Sequence, residues 1–191
     1  MDDIVKAALA KWPNVPDCYG WLGLDARGNW YMRDDQAQAA GAFCAASNEP
    51  GRQLASKGSL LKHDKLIDFI QRNYAADVQG QWFFQNGPQR VYVELEATPF
   101  VWRIGSTPDF EVTAHTGQVA ITQRCIIDEH GRVYLETALG FGLVHTQDML
   151  PAAEAIEQGL WVPQEVLARD LQKRFGYVRS PEAASKMLLK K

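Results

Sequence analysis

The sequence predicts an α+β fold: an antiparallel β-meander of repeated hairpin units packed against a central helix, with further helices at the N- and C-termini. Three observations carry that reading. Apolar and polar residues alternate through much of 81–145, the period of strands with one buried face. The pattern Asp-x-x-Gly-x followed by three large apolar residues occurs three times, beginning at Asp25, Asp77 and Asp128. Amphipathic stripes at helical spacing lie before, between and after these strands, which favours α+β over a βαβ arrangement.

Residues 2–12 read as a short helix. Asp2 and Asp3 sit where the helix dipole favours negative charge, and Ile4, Val5, Ala8, Leu9 and Trp12 share one face. Pro13 stops it and Pro16 keeps the chain extended. Strands follow at 18–24 and 29–33, joined by Asp25-Ala26-Arg27-Gly28. There the aspartate side chain closes the turn and the glycine takes the positive φ. The three copies stand at nearly equal intervals, but the segments between them differ. They predict one turn type used three times rather than a solenoid.

Residues 36–58 are rich in Ala, Gly, Gln and Ser, with Phe43 and Leu54 as the large apolar residues, and read as a mobile insertion. A helix over 61–74 presents Leu66, Ile67, Phe69, Ile70 and Tyr74 on one stripe. Strands are expected at 82–85, 90–95, 100–104, 110–114, 124–127, 132–137 and 143–145. In the second of these, Val91, Val93 and Leu95 should be buried, with Tyr92, Glu94 and Glu96 on a wet face. The glycines around Phe141 suggest a bend or bulge. A C-terminal helical extension, 150–191, comprises helices at 152–158, 164–175 and 181–189, with Val166, Leu167, Leu171 and Phe175 inward in the second. The whole chain, 1–191, is expected to be a single domain.

With 20 basic and 23 acidic side chains the formal charge is −3, and no basic cluster stands out apart from Lys190-Lys191, so nucleic acid is not an expected partner. The start is acidic where a secretory signal is basic, and no run reaches the length needed to span a bilayer. Cys18, Cys44 and Cys125 are odd in number and scattered, the pattern of free thiols in a reducing compartment. A soluble cytoplasmic protein is expected.

No named chemistry is spelled out. Metal-ligand spacings are missing from the sequence, and His63, His115, His130 and His145 read as ordinary hydrogen-bonding histidines. No Gly-x-Ser-x-Gly elbow or phosphate-binding glycine loop occurs. Cys18 and Cys125 lie in apolar strands as inert thiols, and Glu94 with Glu96 reads as part of a solvated strand face. Neither a catalytic residue, a cofactor nor a metal is expected. The aromatic residues of 82–102 offer two readings. Tyr92 and Trp102, flanked by Arg90 and Arg103, would make an exposed stacking surface, or helices would cover them and bury the rings.

The run Gly20-Trp21-Leu22, Lys57-Gly58-Ser59-Leu60-Leu61, Gln81-Trp82-Phe83-Phe84-Gln85-Asn86-Gly87-Pro88, Thr98-Pro99-Phe100-Val101-Trp102 and Phe141-Gly142-Leu143-Val144-His145 resembles an uncharacterised proteobacterial family. Its order is also similar to the domain-of-unknown-function 1285 family. The matching stretch is Trp30-Tyr31, Gly58-Ser59-Leu60-Leu61, residues 66–70, Gln81-Trp82 and Pro99-Phe100. Leu60 stands where that family has proline, and 36–57 and the C-terminal helices look additional. The resemblance covers residues 18–147 and implies an antiparallel α+β fold of repeated helix-and-sheet units. It assigns no catalytic residue.

The expected function is therefore a non-enzymatic module binding a small molecule or a protein, with Arg90, Tyr92, Trp102, Arg103, His115 and His145 as candidate contacts. An enzyme whose site assembles His115, His145 and Asp148, together with Glu94 or Arg103, is the alternative. A homo-oligomer paired through a sheet edge, in its simplest form a homodimer, is the third reading.

Overall fold

Strand β1 (Cys18–Leu24) and the turn that follows it set a pattern used again along the chain. The computed structural model describes residues 1–43 and 55–188. Two units of chain separate by their internal contacts: Met1–Asp25 with Asn29–Glu96 and the stretch from Tyr177 onward, and Ala26–Gly28 with Ala97–Gly176.

In each Asp-x-x-Gly turn the aspartate closes the loop itself. Oδ1 of Asp25, Asp77 and Asp128 accepts the backbone N–H four residues on, from Asn29 at 2.8 Å, Gln81 at 2.9 Å and Arg132 at 2.9 Å. Oδ2 accepts the side chain of that same residue, at 3.0, 3.4 and 2.8 Å. A tyrosine hydroxyl completes each set: Tyr31 at 3.4 Å, Tyr92 at 3.0 Å and Tyr134 at 2.8 Å. Gly28, Gly80 and Gly131 take φ of 85°, 78° and 74°, where an L side chain is strained.

The first unit holds a six-stranded sheet in the order β3-β2-β1-β6-β5-β4. Its strands after β1 are β2 (Trp30–Met32), β3 (Ser59–Leu60), β4 (Tyr74–Ala76), β5 (Trp82–Asn86) and β6 (Gln89–Leu95). Two antiparallel three-stranded runs meet at a parallel pair, β1 with β6, in which Leu22 stands opposite Val93. Helix α1 (Asp3–Lys11) precedes β1, and α2 (Asp35–Ala40) follows β2. Helix α3 (Asp64–Arg72) carries the chain from one edge of the sheet to the other and lays Phe69 edge-on against Phe84, ring centres 5.4 Å apart.

The second unit's strands are β7 (Phe100–Ile104), β8 (Val112–Ala114), β9 (Val119–Ala120), β10 (Thr122–Ile127), β11 (Val133–Thr137), β12 (Gly140–Val144) and β13 (Pro163–Glu165). Their order is β13-β10-β11-β12-β7-β8-β9, with β7 parallel to β12. Leaving β13 aside, this is the strand order and direction of the first unit, with β7 to β12 in the places of β1 to β6. Only Ile121 separates β9 from β10, although five strand spacings divide them in the sheet. A flat sheet would hold them about 24 Å apart, whereas one linking residue spans about 7 Å. This sheet is therefore rolled until its ends approach.

At the parallel pair of the second unit, Phe100 and Trp102 stack at 5.2 Å, and the Trp102 indole donates to the Leu135 carbonyl at 3.0 Å. Gly142 stands opposite Phe100, where a Cβ would lie 2.7 Å from the Phe100 Cβ. The bend expected at Gly140 and Gly142 is a regular strand in which close packing demands the second glycine.

Several expectations change. The stretch 81–145 is not one antiparallel meander, because both sheets are mixed and each contains a parallel central pair. In β6 both faces are buried from Tyr92 to Leu95. Helix α6 (Pro181–Leu188) covers the side expected to be wet: Glu94 accepts the Ser180 hydroxyl at 2.6 Å and the Glu182 N–H at 2.9 Å. The helix expected over 164–175 is instead β13, a one-turn 3₁₀ segment and a short helix α5 (Leu171–Phe175). Pro163, which lacks an N–H, opens an edge strand here rather than a helix. Val166 and Leu171 are buried as expected, while Leu167 is exposed. On α1 only Val5 is buried, and Ile4 and Trp12 lie in solvent.

Residues 44–54 of the expected insertion, including Cys44 and Leu54, lie outside the described residues. The flanking parts are held firmly. Phe43 is buried, and the fully buried Arg33 guanidinium donates to the carbonyls of Ser56 at 2.8 Å, Gly20 at 2.9 Å and Gly41 at 2.5 Å. Among the described residues no helix is long and apolar enough to cross a membrane. Helix α4 (Met149–Glu157) ends at Gly159, whose φ is 74°.

Candidate functional site

Pro13 and Pro16 shape the candidate site of the first unit. Pro13 ends α1 in a turn with Asn14, and residues 15–17 then pass beside the β5–β6 hairpin, where Gln89 Nε2 donates to the Pro16 carbonyl at 3.1 Å. The far end of α1 is pinned too. The Asp2 N–H donates to Asn73 at 2.7 Å, and Arg72 holds the Asp2 carboxyl below the usual range, with Asn73 assisting. Between this segment and the hairpin lies a groove of about 470 Å³, lined by Leu9, residues 13–17, Pro88 and Arg90.

Arg90 is the cation of that groove. Its guanidinium lies over the Phe83 ring, 5.0 Å from the centre, the geometry of a cation–π contact. Behind it Tyr92 is buried, stacked on Tyr19 at 4.6 Å with the rings 1° from parallel, and its hydroxyl donates to Asp77. Burial pushes the Tyr92 phenol well above its usual value, and the Asp77 carboxylate adds to the rise. Tyr92 is thus a neutral strut. Among the described residues neither Arg90 nor Asp17, the anion of the same groove, takes part in an ion pair. A half-buried cation, an exposed carboxylate and the half-buried side chains of Leu9, Val15 and Pro88 share one concavity, whose lining is more polar than apolar.

The remaining candidates lie in the second unit. Trp102 is fully buried, so with Tyr92 also enclosed these two rings offer no stacking surface to solvent. Arg103 pairs with Asp148 through two contacts, 2.5 and 3.1 Å, and Asp148 also accepts the Ile104 N–H at 3.1 Å. Burial works to raise the Asp148 carboxyl, but Arg103 and the Ile104 N–H outweigh it and hold it below its ordinary value. His145 caps the 3₁₀ turn at Thr146–Asp148 by accepting the Gln147 N–H at 3.1 Å. His115 Nδ1 accepts the Val101 N–H at 3.3 Å. The strands preceding the two histidines both border β7, on opposite sides. Each of these polar groups serves a strand end or a turn.

Cys125 is buried, which pushes its thiol up to about 11, and burial raises Cys18 as well. Both are poor nucleophiles near neutral pH. Among the described residues no group of three or more His, Cys, Asp or Glu side chains is placed to hold a metal ion. Sequence reasoning found Arg90 but passed over residues 13–17 as a connector. The local signal was Pro16, which keeps the residue before it extended and so carries the chain from α1 toward β1.

The chain belongs to the family described as "Protein of unknown function (DUF2946)", whose model, DUF2944, matches residues 1–182. A crystal structure of a DUF1285 family protein from Silicibacter pomeroyi DSS-3 is similar to it, with 12% sequence identity over 81% of this chain and 84% of that chain and a TM-score of 0.48. No curated protein matches. The family carries no assigned function, and the reading below rests on the groove.

Proposed function

We propose that the chain is a non-enzymatic binding module whose first unit holds a small zwitterion with an apolar body, such as a free amino acid. The single observation behind this is the pairing of Arg90 and Asp17 in one groove, neither neutralised by another described residue. The guanidinium takes a carboxylate in bidentate fashion, Asp17 takes an ammonium group, and Leu9, Val15 and Pro88 receive the apolar part. Phe83 and Tyr92 hold Arg90 in place before the ligand arrives, which reduces the ordering cost of binding. Nothing in the groove asks for bond-making chemistry. The free thiols of Cys18 and Cys125 support a cytoplasmic site of action.

Isothermal titration of the whole chain with L-leucine, isocaproate and isopentylamine tests this reading. L-Leucine is expected to bind more tightly than either singly charged analogue. Arg90→Gln should weaken L-leucine and isocaproate at least ten-fold, while Asp17→Asn weakens L-leucine and leaves isocaproate unchanged. Equal binding of L-leucine to wild type and Arg90→Gln, or none to the wild type, contradicts the assignment.

A further inference from the structure

The second unit has a groove of its own, about 450 Å³, walled by Phe110, Val112, Val119, Ile121, Leu160 and Trp161. Its apolar rim stands in water: Ile121 is 85% exposed, Val119 60% and Leu160 58%. Ile121 is the single residue between β9 and β10, so the corner that rolls the sheet also presents this side chain outward. Beyond the groove Val162 is exposed as well. Clustered apolar exposure of this kind marks a contact surface, because each side chain gains by leaving water.

The charges beside the groove indicate what covers it. Asp109 and Glu111 line the same concavity, both exposed, and among the described residues neither takes part in an ion pair. Phe110 between them holds φ of 41°, unusual for an aromatic residue, and turns its ring into the buried wall. A second copy docking by two-fold symmetry would bring these carboxylates against the same patch, acid facing acid. An anionic membrane surface would be repelled in the same way.

We propose that this groove receives an apolar side chain from an extended segment of a partner protein, with Lys or Arg flanking it to meet Asp109 and Glu111. The surface lies wholly within the second unit and does not depend on the Arg90 groove.

The test uses the full chain and fluorescein-labelled peptides, Lys-Leu-Lys-Trp-Lys and Glu-Leu-Glu-Trp-Glu, followed by anisotropy. The basic peptide is expected to bind the wild type at least ten-fold more tightly than the acidic one. Asp109→Lys with Glu111→Lys should reverse that preference, and Ile121→Ser should weaken the preferred peptide in either background at least five-fold. These substitutions are exposed, and an unchanged thermal midpoint confirms that each variant folds. Absence of wild-type binding, indifference to the charge reversal or indifference to Ile121→Ser overturns the proposal. So does a dimer in sedimentation, or adsorption to phosphatidylserine vesicles, that Ile121→Ser abolishes.

Discussion

Asp25, Asp77 and Asp128 share one task, each accepting at least two backbone or side-chain donors of its own turn and a tyrosine hydroxyl. The carboxylate of the third is shut off from solvent. Burial works to raise the Asp128 carboxyl, but N–H donors from Arg132 and His130, the Tyr134 hydroxyl and the Arg132 guanidinium together hold it below its usual value. A carboxyl depressed in the folded state adds stability above its unfolded value, near 3.9, and loses that contribution as pH falls through the folded value. Urea denaturation should therefore find Asp128→Ala less stable by about 2–3 kcal/mol at pH 7, the cost of stranding buried donors. The gap should narrow below about pH 4. A variant matching the wild type at pH 7 would show that water replaces the carboxylate without loss. These turns were legible in the sequence because Asp and Gly act locally, on atoms four residues away. The burial of Tyr92 and Trp102 was not, because it depends on what covers a strand from elsewhere in the chain.

Strand β6 shows that dependence at the level of an element. Its alternation of Val91, Val93 and Leu95 with Tyr92, Glu94 and Glu96 reads as one dry and one wet face. The wet face is closed by the chain's last described helix, whose first N–H groups need an acceptor. Glu94 meets that need together with Ser180, whose hydroxyl accepts the Ala183 N–H at 3.2 Å. Burial pushes the Glu94 carboxyl up despite these donors. A carboxyl raised in the folded state binds its proton more tightly there, so stability falls as pH rises from the unfolded value, near 4.3, through the folded one. Removing the charge with Glu94→Gln should flatten this slope. The difference in unfolding free energy, variant minus wild type, should grow between pH 4 and pH 7. A constant difference would mean that Glu94 titrates as an ordinary carboxyl. Residues 164–175 illustrate the opposite limit. Val166, Leu171 and Phe175 suit a helical stripe, but pairing of Gln164 with Ile126 in β10 outweighs local preference.

Across the whole chain, one strand order accounts for both sheets. Each is built on two three-stranded antiparallel runs joined at a parallel pair, β1 with β6 and β7 with β12, and the second adds β13 parallel to β10 at its edge. Hairpins were legible because their partners are consecutive and their turns carry signals. The parallel pairs were not, because Leu22 and Val93 are brought together by topology and no local pattern names them as neighbours. The Arg90 groove follows from the same arrangement, since β1 beside β6 sets residues 13–17 against the β5–β6 hairpin. The most direct measurement is a nuclear Overhauser map of backbone protons in the labelled chain. Cross-peaks linking the strands around Leu22 with Val93 and around Leu143 with Val101 are predicted by the register. A map in which β6 instead pairs antiparallel with β7, as one continuous meander requires, would contradict it.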